Sequence, residues 1–216
     1  QEFEDHLNRF FDREVLPRLM PILIEAESEL SGLKDHPMYL AVQMKQSGRS
    51  QRTQHALIEI PGELPRFHAL PQLDDDQLVM FLDDVIRFGL KRIFEATEFD
   101  EFEAWALKFT RDAEFEVDND FTESFYEQLG EKLRARAGRG LAVRLNYDSE
   151  MPEDFLELVM KALDLSGDYT QFPGARYHNR KDLMSFPSFG RNDLLNPKST
   201  PIIHPDLRSG HSQDLF

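Results

Sequence analysis

Two short stretches of alternating apolar residues, joined by a turn, place the strongest constraint on how this chain folds. Residues 38–45 carry an apolar side chain at every second position, and residues 54–60 repeat the pattern. A period of two puts alternate side chains on opposite faces of a β-strand. The sequence Ser-Gly-Arg-Ser at 47–50 is typical of a turn. The two stretches therefore predict an antiparallel hairpin with a somewhat long loop.

The elements that follow have the order of an α+β domain. Residues 65–67 predict the start of a short third strand, and Asp74, Asp75 and Asp76 are suited to cap a helix. The other predicted strands are 102–110 and 141–147, and the predicted helices are 1–16, 77–95, 120–137, 152–165 and a short one at 179–186. We expect an α+β fold with a mostly antiparallel sheet of four or five strands, covered by helices on one face.

The composition changes after Gly167, where prolines and glycines lie among polar residues. We expect a core at residues 1–166 and an irregular Pro/Gly-rich basic segment and linker at 167–216. The first predicted helix has no capping residue before it, and the last dozen residues are typical of a linker. These features predict a piece cut from a longer polypeptide.

Charge and composition exclude several classes of function. The net charge of −15 disfavours binding to nucleic acid, and the chain has no apolar run long enough to span a membrane. The absence of cysteine excludes disulfides and thiolate metal sites, and fits a reducing cytoplasm. Residues 59–103 hold 12 acidic and 4 basic side chains, whereas residues 174–198 hold 5 basic and 2 acidic ones. The second stretch is therefore the better candidate to meet an anion, unless it pairs with acidic neighbours.

The sequence lacks the common catalytic signatures. It contains no phosphate-binding Gly-x-x-x-x-Gly-Lys loop, no Gly-x-Ser-x-Gly elbow and no His-Glu-x-x-His helix. The seven histidines are scattered, with no pair at metal-ligand spacing. Asp83 and Asp84 are adjacent helix positions that face different ways, so we expect them on a solvated helix face. We assign no catalytic residue and no metal ligand to this chain.

Two short stretches combine charged and polar groups of several types. Residues 110–114 end a predicted strand, where they either form an Arg–carboxylate network or line a site. Residues 174–182 follow a Pro-Gly turn and hold arginine, tyrosine, histidine, asparagine and lysine. Guanidinium and amide donors suit phosphate oxygens. The alternative is a domain-junction anchor, in which these donors satisfy backbone carbonyls of an irregular segment.

Four ordered motifs resemble those of the polyphosphate kinase family, and the resemblance covers essentially the whole chain. They are Tyr-Leu-Ala-Val at 39–42, Ala-Leu-Ile-Glu-Ile-Pro at 56–61 with Pro-Arg-Phe at 65–67, Lys-Phe-Thr-Arg-Asp-Ala-Glu at 108–114, and Pro-Gly-Ala-Arg-Tyr-His-Asn-Arg-Lys-Asp at 173–182 with Phe-Pro at 186–187. Two positions depart from the family pattern. Ala175 stands where a second glycine is expected, and Phe109 where methionine is common.

The resemblance implies a four-domain enzyme, of which this chain is the middle or head domain. Such an enzyme transfers the terminal phosphate of ATP reversibly to inorganic polyphosphate, through a phosphohistidine and with Mg²⁺. Its other parts are an N-terminal helical domain and two C-terminal domains similar to the phospholipase D fold. The reacting histidine lies in a His-x-Lys motif, which this sequence lacks. The resemblance therefore implies an isolated chain that is inactive and holds no cofactor, with the ATP and Mg²⁺ sites in a missing catalytic half.

In the family the head domain contributes to dimer formation and frames the tunnel that holds nucleotide and chain. The candidate substrate-binding residues are Arg176, Tyr177, His178, Asn179 and Lys181, with Arg111 and Asp112 as weaker candidates. The implied partners are the other domains of the polypeptide, a second copy and inorganic polyphosphate. The implied location is the cytoplasm, or the periphery of the inner membrane. Two alternatives stay open: a free-standing protein-interaction domain with this fold, and a hydrolase or transferase that uses the abundant carboxylates.

Overall fold

A six-stranded sheet organises this protein. The computed structural model describes residues 2–25, 30, 33–34, 37–48, 52–111, 142–163, 170–177 and 179–200. The strands are β1 (Ile22–Ile24), β2 (Tyr39–Lys45), β3 (Thr53–Glu59), β4 (Phe67–Ala69), β5 (Val79–Phe81), β6 (Glu101–Arg111), β7 (Ala142–Asp148) and β8 (Thr170–Gly174). The sheet has the order β1-β3-β2-β6-β7-β8, while β4 and β5 form a separate antiparallel pair. Within the sheet, β7 and β8 run parallel and the other neighbours run antiparallel.

Helical segments flank this sheet in the described residues. They are α1 (Glu2–Phe10), a π-helical turn (Phe11–Val15), α2 (Leu82–Phe88), α3 (Leu90–Ile93), α4 (Glu153–Ala162) and 3₁₀ turns at Leu16–Arg18, Arg180–Ser185 and Asn192–Leu194. The first turn of α1 is acidic and its last turn holds Arg9, an arrangement that complements the helix dipole. Pro17 cannot donate to a helix, and the chain leaves the helical path after Arg18. None of the helices in these residues is long and apolar enough to span a bilayer.

Both faces of the sheet are covered, which corrects the expectation of helices on one face. Leu40 and Val42 of β2 point into a core shared with Phe11 and with the apolar side of α2. Ala41 points into a second core shared with Phe155 of α4. The strand is therefore buried on both faces throughout its apolar positions. The sequence carried a signal of this, because residues 38–42 form an uninterrupted apolar run, which is typical of a strand buried on both faces.

The α+β class is confirmed, with a larger and mixed sheet. The predicted hairpin forms between β2 and β3, and β6 and β7 lie where strands were predicted. β1 and β8 add to the four or five strands expected, and β8 makes the sheet mixed. β1 has three residues, too few to show a period, and the side chains of β8 are mostly exposed. Neither strand therefore carries the alternation that reveals a half-buried strand.

The helix predicted at 77–95 is wrong over its first turns. Asp74 adopts a left-handed backbone conformation, with φ of 52°, in a turn closed by a bridge between Leu73 and Asp76. The chain then forms β5 before α2 begins at Leu82. The three aspartates therefore belong to a turn and cap no helix. The helix predicted at 120–137 lies outside the described residues.

The chain divides into two compact units, Gln1–Phe186 and Pro187–Phe216. The first unit contains β8 and the 3₁₀ turn at Arg180–Ser185. The division after residue 166 stays a prediction of the sequence.

Candidate functional site

The candidate segment, residues 175–186, leaves the sheet at the end of β8. Parallel pairing sets Gly174 beside Asp148 of β7. The backbone N–H of Ser149 donates to the carbonyl of Gly174 over 2.9 Å, and the carboxylate of Asp148 accepts from the N–H of Glu150 over 3.1 Å. These bonds fix the point from which the candidate segment departs.

Asp84, in the first turn of α2, is the centre of one network of charged groups. Arg176 donates to Asp84 Oδ1 through Nη2 over 2.6 Å and through Nε over 3.2 Å, and Tyr177 Oη donates to Oδ2. Arg87, one turn further along the helix, donates to Oδ1 over 2.9 Å and also reaches the carbonyl of Ala104 over 3.0 Å. The network therefore ties the start of the candidate segment to α2 and to β6.

Arg66 is the centre of a second network beside the first. Its Nη1 and Nη2 donate to both oxygens of Asp83, the latter over 2.6 Å, and its Nε donates to Asp182 Oδ2 over 2.6 Å. Asn179 Nδ2 donates to the other oxygen of Asp182 over 2.7 Å. Asp83 is fully buried and only 13% of the Arg66 side chain is exposed. A planar guanidinium with five N–H donors suits two carboxylates at once.

Aromatic rings reinforce the same attachment. Tyr177 stacks on Phe81 of β5, with ring centroids 4.1 Å apart. Phe67 of β4 packs against Phe81 at 4.9 Å and against the edge of Phe186 at 5.1 Å. The candidate segment is thus held at both ends by the β4–β5 pair.

Burial and hydrogen bonding shift the pKa values of the acidic groups in different directions. Burial raises the pKa of Asp83, although the hydrogen bonds from Arg66 oppose that effect. Partial burial alone would raise the pKa of Asp84, but hydrogen bonds from Tyr177 and Arg176 outweigh it and hold that pKa below its usual value. Burial and the hydrogen bond to Asp84 raise the pKa of Tyr177. At neutral pH, Asp84 is therefore an anion that accepts from a protonated phenol and from cations.

The structure brings together some of the residues predicted from sequence. Arg176 and Tyr177 share Asp84 as a partner, and Asn179 bonds Asp182. Lys181 is exposed on the 3₁₀ turn, with no charged partner among the described residues. His178 lies outside the described residues. The domain-junction anchor stays a prediction, and its expected acceptors were wrong for the arginine and the tyrosine, because the carboxylate of Asp84 accepts from both in place of backbone carbonyls.

Arg111, the weaker candidate, is separated from these residues. It ends β6 and pairs with Ala142 at the start of β7, whereas Gly174 pairs with Asp148 at the end of β7. The two positions are six residue steps apart along β7, or about 20 Å. Asp112 lies outside the described residues. Arg111 and the candidate segment therefore lie toward opposite ends of the sheet.

The two acidic residues that organise the site were not predicted from the sequence. Asp83 and Asp84 were expected on a solvated helix face, but Asp83 is fully buried and 18% of the Asp84 side chain is exposed. The inference that adjacent positions face different ways is correct, because Asp83 belongs to the network around Arg66 whereas Asp84 is the centre of the other network. The acidic pair beside an apolar helix stripe gave a weak signal, since acidic residues are common along this chain.

Comparison with known families decides what kind of domain carries this site. A family model described as the polyphosphate kinase middle domain matches residues 2–186. This chain belongs to the polyphosphate kinase family. The middle domain matched by the model ends at Phe186, the residue that also ends the first compact unit.

Curated polyphosphate kinases are similar to this middle domain along most of its length. A polyphosphate kinase of Vibrio vulnificus (strain YJ016) is 37% identical over 204 residues, which are 92% of this chain and 29% of the relative. A polyphosphate kinase of Escherichia coli (strain K12) is 32% identical over 206 residues, or 93% of this chain and 29% of the relative. The chain thus spans less than a third of the length of these relatives.

A crystal structure of polyphosphate kinase from Porphyromonas gingivalis has the same fold. The superposition gives a TM-score of 0.69 at 24% sequence identity, and it covers 97% of this chain and 29% of that one. The middle-domain fold therefore extends to a relative with low sequence identity.

The described residues do not suit a resident metal. No group of three or more histidine or carboxylate side chains among them is arranged to hold a metal ion. The carboxylates of Asp83 and Asp84 are already engaged by guanidinium groups. We therefore derive no chemical step through Mg²⁺ at this site.

Proposed function

We propose that this chain is the non-catalytic head domain of a polyphosphate kinase that transfers the terminal phosphate of ATP to inorganic polyphosphate. The observation that carries the proposal is the match of the middle-domain family model to residues 2–186. The length of the relatives supports it, because 29% of each relative corresponds to this chain and the rest is available for the catalytic machinery.

The reacting histidine belongs outside this chain. The resemblance to the family implies a phosphohistidine in a His-x-Lys motif, and no histidine of this sequence has lysine two positions further on. The bound ATP and Mg²⁺ belong with that histidine in the full-length enzyme. A free-standing interaction domain gains no support from the relatives described above, which are all polyphosphate kinases.

The head domain takes part in dimer formation and frames the substrate tunnel in the full-length enzyme, which acts in the cytoplasm or at the periphery of the inner membrane. The candidate segment supplies donors for polyphosphate, with Arg176 and Lys181 as the candidate cations. Half of the Arg176 side chain is exposed and Lys181 is exposed, so both remain accessible to an anion. Tyr177, His178 and Asn179 complete the candidate set, and Arg111 is a separate, more distant candidate.

The test uses a full-length polyphosphate kinase that carries this middle domain, beside the 216-residue chain alone. We expect ATP-dependent polyphosphate synthesis from the full-length enzyme and none from the chain alone. Synthesis by the isolated chain would overturn the non-catalytic assignment. Light scattering of both proteins measures the contribution of this domain to dimer formation.

The substrate-facing role is tested with the variant R176A/K181A in the full-length enzyme. We expect the KM for polyphosphate to rise and the salt dependence of binding to weaken, because two cations are lost. Unchanged KM and unchanged salt dependence would limit the candidate segment to a structural role. The matched control is R13A/K91A, which removes two exposed cations of the same domain that lie far from residues 175–186 in sequence.

A further inference from the structure

We propose that Asp84 is a positioning residue for polyphosphate, acting through Arg176. This inference rests on the proposed function, because it concerns how the candidate segment presents its donors. Asp84 itself carries a negative charge and faces guanidinium and phenol donors, so it serves the arginine and does not touch the substrate.

The bonds between Asp84 and Arg176 leave one end of the guanidinium unused. Arg176 donates through Nε and Nη2, both to Asp84 Oδ1, and its guanidinium carbon lies 5.9 Å from the centre of the Tyr177 ring. Arginine has five N–H donors in a rigid fork. The contacts to Asp84 use Nε and Nη2 and do not involve Nη1, and half of the side chain is exposed. Asp84 therefore fixes the plane of the guanidinium while two N–H donors stay available for phosphate oxygens.

Asp84 is itself held on rigid structure. Its side chain is 18% exposed, and Arg87 bonds it from the same helix while also bonding the Ala104 carbonyl of β6. Tyr177 adds a hydrogen bond to the second carboxylate oxygen. A site is more exact when its residues are fixed by such supporting bonds to helices and strands than when they stand on a free loop.

The two networks have no net charge, so the exposed cations beside them attract an anion at long range. The networks contain the guanidiniums of Arg66, Arg87 and Arg176 and the carboxylates of Asp83, Asp84 and Asp182, which sum to zero. Arg180 and Lys181, both exposed on the adjoining 3₁₀ turn, add two positive charges. We therefore assign long-range attraction of polyphosphate to Arg180 and Lys181, and directional binding to Arg176 as oriented by Asp84.

The experiment is a double-mutant cycle in the full-length enzyme, with medium-chain polyphosphate as the varied substrate. The variants are Asp84→Asn, Arg176→Ala and the two combined, with Asp84→Glu to test rescue and Glu157→Gln of α4 as an exposed acidic control. We expect D84N to raise the KM for polyphosphate about five- to tenfold with kcat within about twofold. We expect no further rise on adding D84N to R176A, partial recovery in D84E and no change in E157Q.

Hydrogen exchange of the same variants separates positioning from folding. D84N should speed exchange of residues 175–186 and leave β2 and β3 protected. Faster exchange with an unchanged KM would reduce Asp84 to a structural anchor and overturn the proposal. The proposal would also be overturned if D84N raised the KM for polyphosphate as much in R176A as in the wild type, because Asp84 would then act through another group. A wild-type enzyme that makes no polyphosphate would instead refute the proposed function.

Discussion

Arg66 bonds both carboxylate oxygens of Asp83, and this pair lies at the junction between the β4–β5 pair and α2. The backbone reinforces the junction, since the N–H of Leu82 donates to the carbonyl of Arg66 over 2.9 Å. The same guanidinium then reaches Asp182, which follows in sequence more than a hundred residues later. One arginine thus connects the start of α2 to the candidate segment.

Removing Arg66 should destabilise the fold strongly. The variant R66A leaves the fully buried Asp83 without its partner, and breaking a buried ion pair in this way costs about 3–5 kcal/mol. Urea denaturation of the 216-residue chain, followed by circular dichroism, measures the loss. The double variant R66M/D83L removes both charges and should be less destabilised than R66A. A double variant as unstable as R66A would show that the salt bridge is not what the junction requires.

A side chain added at Gly89 should destabilise the fold. It separates α2 from α3, and a Cβ built on it overlaps the ring of Phe11, which is fully buried in the first core. Overpacking a core in this way costs about 1–3 kcal/mol. We expect G89A to lower the urea midpoint and the double variant F11L/G89A to recover part of the loss. The control is G62A, where the added Cβ has nothing within 4 Å and should leave stability nearly unchanged.

His68 should make stability fall at mildly acidic pH. Burial lowers its pKa from the ordinary 6.5, and the neighbouring His6, whose Nε2 lies 3.0 Å from that of His68, lowers it further. The ring also stacks on Phe10, with centroids 3.7 Å apart. A histidine with a depressed pKa is protonated more readily in the unfolded chain, so its stabilisation is present above pH 6.5 and declines as pH falls toward the folded-state pKa.

The free energy of unfolding, measured from pH 7.5 to pH 5 in steps of about half a unit, tests this expectation. The variant H68Q should show a shallower loss of stability with falling pH than the wild type. His55, whose pKa is lowered by burial despite the opposing charge of Asp154, contributes in the same direction. H55Q therefore serves as the comparison. Parallel pH profiles for wild type and H68Q would contradict the assignment.

Local sequence patterns were enough to predict the central strands and α4, because their periods are long and uninterrupted. β6 extends for eleven residues, and α4 follows Pro152 with an acidic first turn. The β5–α2 junction escaped this reasoning, because a turn and a three-residue strand interrupt the apolar stripe. β5 is extended because it pairs with β4, and the sequence of residues 77–81 does not indicate that pairing.

The candidate site was predicted in part for a similar reason. Residues 174–182 stood out because their donors are concentrated in a short stretch. The carboxylates that accept from these donors did not stand out. Asp84 lies 93 positions before Tyr177, and acidic residues are common along this chain. Long-range ion pairs of this kind depend on the tertiary fold. Composition indicates that cations are present, and only the folded chain shows which carboxylates they meet.

Tyr177 should have separable contributions from its hydroxyl and its ring. The hydroxyl bonds Asp84 and the ring stacks on Phe81 at 4.1 Å. Y177F keeps the stack and loses the hydrogen bond, so we expect a loss of about 1 kcal/mol because the side chain is partly exposed. Y177A loses both contacts and should be less stable than Y177F, as measured by urea denaturation. Equal stability of Y177F and wild type would show that the hydrogen bond contributes nothing.

Alkaline titration gives an independent measure of the same contact. Burial and the hydrogen bond to Asp84 raise the pKa of Tyr177 above the ordinary 10.0, so its phenol should ionise later than an exposed tyrosine. The folded chain binds the phenol proton more tightly than the unfolded chain does. The stability due to this group is therefore present below pH 10 and is lost as pH rises through the folded-state pKa. The ultraviolet difference between wild type and Y177F isolates this phenol. In D84N its pKa should fall, because the negative partner is gone; an unchanged titration in D84N would place the cause in burial alone.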